Sequence, residues 1–280
     1  MMTLYYEGSD GSIIDFMSDP IFAQSPETLT QNIWNYSTIS GVNGLGRVKR
    51  FYKDTQEASL KLSIIADSEE EFNETMYRIH RIFDRDVRQL KPGKLWWNGY
   101  YKEVYATETS QDEFEELFEA VDREVTFVSV YPYWIKTQTY QYRNASSDAT
   151  ALDYDGDNLD HEYDYGLEGV IEVLENDCID KANFEMIFYG PCSNPAVTIA
   201  DHTYELLTDL STGEYAKINS LTKKITQYDI YGTPENIFHL RSRDSYIFEM
   251  IPEGKSTISR SNNLCFDITL FDERGEPEWI

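Results

Sequence analysis

The feature that most constrains the fold of this chain is a hairpin sequence, KPGKLWWNGYYKEVYA at residues 91–106. Its centre, Asn98-Gly99, is the strongest short-range hairpin signal, because a type I′ turn needs positive φ at both central residues. The turn predicts cross-strand aromatic pairs: Trp97 with Tyr100, and Trp96 with Tyr101. One face then carries Leu95, Trp97, Tyr100 and Val104, and the other carries Trp96, Tyr101 and Tyr105.

Aromatic residues on both faces indicate a ribbon that is covered on both sides. The core of this chain would cover one side, and another chain would cover the other. We therefore expect four residues to carry packing and subunit contacts: Trp96, Trp97, Tyr100 and Tyr101. The alternative is that all four serve the core of their own chain, and the sequence leaves both interpretations open.

A helix is predicted immediately before this hairpin. Ser68 is the expected N-cap and Glu71 completes a capping box. An apolar stripe follows at helical spacing: Phe72, Met76, Ile79, Phe83 and Val87. Glutamates crowd the start of the segment and arginines its end, which suits the helix dipole. Strands are predicted on either side, at 47–52 and 59–65 before the helix and at 125–131 after the hairpin.

The pattern changes near Thr137, where we place a domain boundary. Residues 1–136 are predicted to form an α+β domain of sheets, one helix and a long hairpin. Residues 137–280 show short strand candidates between turn signals and no helical pattern, which is typical of a β-sandwich. The candidates are 170–174, 183–189, 196–199, 203–207, 214–218, 224–231, 237–240, 246–251, 257–259 and 264–271. The predicted fold class is mainly β.

The charge balance argues against nucleic-acid binding. The chain carries 50 acidic and 24 basic residues, a net charge of −26, and such a field repels phosphate backbones. The one basic run, from Arg47 to Arg50 with Lys53 beyond it, is interpreted as a charged strand edge in preference to a phosphate site.

Metal binding and catalysis also find little support. Asp153, Asp155 and Asp157 alternate as in a calcium loop, but Asn158 and Asp164 stand where that loop needs Gly and Glu. A solvated acidic loop is therefore favoured, and no metal or cofactor is expected. No nucleophile elbow and no zinc-protease motif occurs, so we expect no enzyme activity.

Membrane insertion and a disulfide framework are not expected. No apolar run approaches the roughly 18 residues that span a bilayer, and no signal peptide is recognised, so we expect synthesis in the cytoplasm. The three cysteines, Cys178, Cys192 and Cys265, are an odd number. Buried thiols are favoured, although pairing of Cys178 with Cys192 is left open.

Four features, in this order, carry a family resemblance: the helix from Ser68 to Val87, the hairpin KPGKLWWNGYYKEVYA, a strand running into Tyr131-Pro132-Tyr133-Trp134, and an all-β C-terminal part whose last strands follow IPEGKSTISRSNN. The chain resembles the distal tail protein family of long-tailed phages that infect Gram-positive bacteria. The similarity covers most of the chain and is strongest from about Ser59 to Trp134.

The resemblance implies a ring, commonly of six copies, built by the N-terminal domain at the tip of the phage tail and assembled in the cytoplasm of the bacterial host. That ring joins the tail tube protein above to the tail-associated hub or lysin protein below. The C-terminal domain would be a galectin-like β-sandwich that in some relatives carries receptor-binding proteins.

Carbohydrate binding in host-surface recognition is the alternative function, since a galectin-like fold invites it. The galectin-type His-x-Asn-Pro-Arg signature is absent, and no Trp occurs between Trp134 and Trp279. Fold alone does not establish function, so this alternative stays open.

Overall fold

A computed structural model describes residues 2–41, 45–111, 121–143, 172–261 and 264–278. These residues are mainly β, as predicted, with 22 strands and one α-helix among them. The chain divides into two compact units: Met1–Lys136 together with Glu273–Ile280, and Thr137–Asp272. The C-terminal residues from Glu273 thus group with the first unit. The Asp153, Asp155 and Asp157 loop lies outside the described residues, as do residues 112–120 and Trp279.

The first unit is an antiparallel sheet curled around one core, with a helix packed on it. Its strands are β1 Leu4–Glu7, β2 Ile13–Asp15, β3 Met17–Ser18, β4 Ile21–Gln24, β5 Asn35–Ser40, β6 Gly46–Tyr52, β7 Gln56–Ile64, β8 Gly93–Trp97, β9 Tyr100–Gln111, β10 Val121–Ser129 and the start of β11 Trp134–Tyr142. Hydrogen-bonded neighbours follow the order β3-β4-β7-β10-β9-β8-β1-β2. β5 and β6 pair only with each other among the described strands.

The central hairpin has the predicted turn and register. Asn98 and Gly99 adopt φ of 46° and 82°, and Trp97 pairs with Tyr100 as Trp96 does with Tyr101. The turn chemistry of the Asn-Gly pair therefore fixes which side chains share a face. β9 then continues for seven residues beyond the hairpin pairing and joins β10, which links the hairpin to the rest of the sheet.

Helix α1 spans Glu69–Gln89 and begins as predicted, with the Ser68 hydroxyl accepting a hydrogen bond from the Glu71 amide. Its buried residues are Thr75, Met76, Ile79, Ile82, Phe83 and Asp86. Val87, predicted as part of the apolar stripe, is 37% exposed, and that assignment was wrong. At about 100° per residue the stripe drifts, so the last turn presents Asp86 to the core and moves Val87 to the edge.

The second unit is a β-sandwich. Its strands are β12 Glu172–Asn176, β13 Asn183–Tyr189, β14 Cys192–Ser193, β15 Ala196–Ile199, β16 His202–Glu205, β17 Asp209–Leu210, β18 Tyr215–Asn219, β19 Lys224–Tyr228, β20 Pro234–Asn236, β21 Gly254–Arg260 and β22 Cys265–Arg274. One sheet follows the order β20-β19-β18-β13-β22 and another the order β12-β21-β15-β16. Residues from both sheets, such as Phe184 and Met186 of one and Val197 and Ile199 of the other, share one core.

Two of the predicted strands in this unit were wrong. Residues 237–240 contain a short 3-10 helix, Phe238–Leu240, and 246–251 forms no strand beyond an isolated bridge at Ile251. Ile247 and Phe248 are both buried although they are neighbours in sequence. A strand sends successive side chains to opposite faces, so this segment fills the core as an irregular loop instead.

Candidate assembly surfaces

The inner pair of hairpin aromatics lies in the core of the first unit. Trp97 and Tyr100 are each 0% exposed, and the Trp97 ring meets Trp134 edge-on with centroids 6.3 Å apart. Their side chains therefore serve packing within this chain. Of the outer pair, Tyr101 is 9% exposed and Trp96 is partly exposed, so a role in subunit contacts stays a prediction mainly for Trp96.

The outer face of the hairpin is partly covered by β1. The ring of Trp96 stacks on Tyr5 at 5.7 Å and lies 5.2 Å from the ring of Tyr101. Its indole Nε1 donates a hydrogen bond of 2.7 Å to the Glu7 carboxylate, and the Lys94 ammonium lies 4.8 Å from the centroid of Tyr101. Residues of the same chain thus cover much of the outer face of the hairpin, which the sequence analysis assigned to another chain.

A buried carboxylate joins helix α1 to strand β1. Asp86 is 0% exposed and accepts hydrogen bonds from the Tyr6 hydroxyl at 2.8 Å and from the Ser9 hydroxyl at 2.6 Å. Burial, together with the bond to Asp86, raises the pKa of Tyr6 far above its usual value. Gly93 passes beside this network, where a Cβ atom would overlap the Tyr6 hydroxyl. The network holds the helix in register with the sheet.

Replacing Asp86 with asparagine is expected to lower the free energy of unfolding by about 2 kcal/mol, because the amide cannot accept all of these bonds and leaves buried donors unpaired. The matched control is Asp84→Asn on the same helix, whose partner Arg88 is exposed; it removes the same charge at a cost of less than about 1 kcal/mol. Urea denaturation followed by circular dichroism measures both. Equal effects from the two variants would contradict a structural role for the Asp86 network.

A lysine is also buried in this unit, on the inner face of the hairpin. Lys102 is 4% exposed, and its ammonium lies 3.4 Å from the Leu29 carbonyl oxygen and 4.6 Å from the centroid of Trp134. Burial, and to a smaller extent the charge of Lys53, lowers the pKa of Lys102 from its usual 10.5 to about 7. Sequence reasoning missed this residue, although its pairing with Leu95 places it on the apolar face.

A largely exposed part of the first unit is a two-stranded hairpin that we call the arm, made of β5 Asn35–Ser40 and β6 Gly46–Tyr52. Every residue of β6 except Tyr52 is exposed. The sequence analysis predicts a strand at 47–52, and residues 35–40 form its antiparallel partner β5. The basic run from Arg47 to Arg50 lies on this arm.

The base of the arm is firmly held. The Lys53 ammonium donates a hydrogen bond of 3.2 Å to the Pro132 carbonyl oxygen and lies 5.1 and 4.6 Å from the centroids of Trp34 and Tyr133. The two rings also meet edge-on at 6.2 Å. The arm therefore leaves the unit at a defined position, with its own strands uncovered.

The described residues offer little that is typical of a catalytic or metal site. Among them, no group of three or more His, Cys, Asp or Glu side chains is placed to hold a metal ion. None of the three cysteines forms a disulfide within the described residues, and each is partly buried. No described helix has the length and apolar character needed to cross a membrane. An open groove of about 440 Å³ along α1 is lined partly by arginines, of which Arg85 and Arg88 pair with neighbouring aspartates.

Comparison with known proteins gives structural matches only. No protein-family model and no curated protein sequence matches the chain. Among solved structures, a chain from the baseplate of phage P2 in its activated conformation with Ca is similar over 99% of this chain and 100% of its own length, with a TM-score of 0.67 and 15% identity. A chain from the phage p2 baseplate with Sr gives 99% and 100% coverage, a TM-score of 0.65 and 14% identity.

The Dit protein (gp 19.1) of SPP1, described as a paradigm of the hub adsorption apparatus in Gram-positive infecting phages, is similar over 98% of this chain and 99% of its own, with a TM-score of 0.56 and 10% identity. The fold of this chain, with one α+β unit and one β-sandwich unit, is thus similar to the folds of phage baseplate and hub proteins. At these identities the likeness shows a shared fold along nearly the whole chain.

Proposed function

We propose that this chain is a structural component of a phage tail tip or baseplate. The observation that carries the proposal is the likeness to a phage baseplate chain over 99% of this chain and all of the other. A match that includes both units supports a common architecture more strongly than a match to a single β-sandwich would, because that fold hosts many unrelated functions. The proposed role is architectural rather than enzymatic.

In this proposal the first unit forms a ring, with six copies as the expected number. The ring connects the tail tube protein to the tail-associated hub protein, and the second unit, expected to be galectin-like, supports host-adhesion components such as receptor-binding proteins. The sequence resemblance to distal tail proteins, with the expected Gram-positive host, supports these finer points. A strongly acidic chain, with a net charge of −26, also suits a ring around a passage for DNA, since it would not retain the DNA.

The proposal is tested by locating the protein in phage particles. Gold-labelled antibodies against the purified chain are applied to particles made by the phage or induced prophage that encodes it, and the particles are viewed by electron microscopy. Labelling confined to the end of the tail is expected. Particles that carry the intact tail but no label, with the chain also absent from them by immunoblot, would overturn the proposal. Labelling on the capsid would do the same.

Carbohydrate binding is the second candidate function, favoured by an aromatic surface on the second unit. Tyr246 is 57% exposed and Phe238 is 38% exposed, and both rings contact Phe248, at 5.9 and 6.0 Å. Exposed aromatic faces are common platforms for sugar rings. A glycan array probed with the full chain tests this function: binding that Tyr246→Ala abolishes supports it, and no binding at millimolar ligand excludes it.

A further inference from the structure

We propose that the arm, β5 and β6, docks on an acidic surface of a second copy of this chain and is the contact that closes the ring. This inference rests on the proposed function and names the surface through which the copies meet. Three observations carry it: the charge of the arm against that of the whole chain, the uncovered apolar side chains of the arm, and the rigid base from which it leaves the unit.

The arm is positively charged, although the protein as a whole is strongly acidic. From Thr28 to Lys53 the chain has four basic residues and no acidic residue, whereas all 50 acidic residues lie elsewhere. Arg47, Lys49 and Arg50 are exposed, and in the described part of the chain none of the three forms an ion pair with a carboxylate. A second copy of the same chain offers the opposite charge in excess, and such complementarity favours encounter and fixes orientation.

The arm also exposes apolar surface that water does not favour. Tyr36 is 63% exposed, Phe51 is 61% exposed and Val48 is 45% exposed. Tyr36 and Phe51 face each other across the two strands, with ring centroids 6.3 Å apart. An isolated two-stranded hairpin is marginally stable in water, and contiguous exposed apolar residues with a charged rim are typical of an interface.

A second copy fits this surface better than a nucleic acid does. A phosphate backbone could pair with the basic side chains but has no apolar surface to cover Tyr36 and Phe51, whereas a protein surface offers both carboxylates and apolar side chains. Contact between a basic arm and a different, acidic surface of an identical chain is heterologous, so each copy both gives and receives an arm. Heterologous contacts of this kind generate a ring when the rotation between neighbouring copies closes, which is the arrangement proposed here.

The test compares two triple charge reversals in the full-length chain. The first, R47E/K49E/R50E, reverses the arm. The second, R78E/R81E/K91E, changes the net charge equally at exposed residues of α1 and its end, and serves as the matched control. Self-association is measured by sedimentation velocity over a wide range of concentration, and circular dichroism checks that both variants keep the native fold.

Reversal of the arm is expected to raise the midpoint concentration of assembly by more than about tenfold, while the control shifts it by less than about threefold. Added salt weakens assembly of the unaltered chain. A second variant, Y36S/F51S, removes the apolar part without changing the charge, and is expected to weaken assembly at high salt as well. All the substituted side chains are exposed, and circular dichroism of Y36S/F51S checks that the two strands persist without the Tyr36–Phe51 pair.

Three results would overturn the inference. The first is an arm-reversed chain that assembles like the control, and the second is an unaltered chain that stays monomeric at every concentration. The third is arm-dependent binding of a fluorescent single-stranded DNA without self-association. None of these outcomes affects the location of the protein in phage particles, so the gold-labelling experiment judges the proposed function separately.

Discussion

Replacing Trp97 with alanine is expected to lower the free energy of unfolding by about 3–5 kcal/mol. The indole is 0% exposed and packs against Trp134, so its loss leaves a cavity that the surrounding sheet cannot refill. Because its hairpin strand, β8, pairs with both β1 and β9, little local collapse is available. Chemical denaturation followed by tryptophan fluorescence and circular dichroism measures the change.

The matched control is Trp96→Ala, one residue earlier on the outer face. That side chain stacks on Tyr5 and bonds to Glu7 but keeps solvent contact, so the expected loss is about 1–2 kcal/mol. If Trp96 carries a subunit contact, its replacement weakens assembly more than stability, and Trp97→Ala does the reverse. A Trp97→Ala chain as stable as the original would contradict the core role assigned to Trp97.

Replacing Lys102 with methionine is expected to stabilise the protein at pH 7, on the order of 2–4 kcal/mol. Methionine has a similar length and flexibility and needs no hydration. The site gives the ammonium a carbonyl contact and an aromatic ring, which compensate only part of the lost hydration. Lys91→Met, at an exposed position, is the control and changes stability by less than about 0.5 kcal/mol.

The same lysine gives the stability a defined pH dependence. Its pKa is lowered from 10.5 to about 7 in the folded protein, so between these values the unfolded chain holds a proton that the folded chain has lost. The free energy of unfolding of the unaltered chain therefore rises as the pH increases from about 7 to 10.5. Below pH 7, Lys102 makes no further contribution to the pH dependence. The advantage of Lys102→Met is largest at pH 6–7 and shrinks towards pH 10. A difference independent of pH would contradict the assignment.

The features of the fold that depend on residues close together in sequence, such as turns and helix caps, were predicted correctly. The Asn98-Gly99 turn fixes the register between β8 and β9, and the hydroxyl of Ser68 caps the helix at the predicted residue. Both depend on backbone geometry within a few residues, which a sequence displays directly. The apolar alternation of β13 and β15 likewise gave their bounds, because one face of each strand is buried.

The polar residues inside the first unit were not predictable in this way. Asp86 and Lys102 belong to residue types that are almost never fully buried, and pattern reasoning places them outside. Each is buried because a partner distant in sequence accepts or donates a bond, Tyr6 in one case and Leu29 in the other. Such partners become neighbours only through the tertiary fold.

The candidate surface was predicted in part. The central hairpin was recognised, but its two inner aromatics turn out to be core residues, since β9 and β10 extend the sheet around them. The basic run from Arg47 to Arg50 was read as a charged strand edge, and it does lie on a strand. The sequence did not show that β5 pairs with this strand, because β5 is largely exposed and lacks the apolar alternation by which a half-buried strand is recognised.

The measurement that tests ring formation most directly is the solution mass of the purified chain by light scattering, over a range of concentration and salt. The expected result is a mass that rises with concentration towards six times 32.6 kDa and falls when salt is added. A mass of one chain under every condition would contradict assembly by this protein alone.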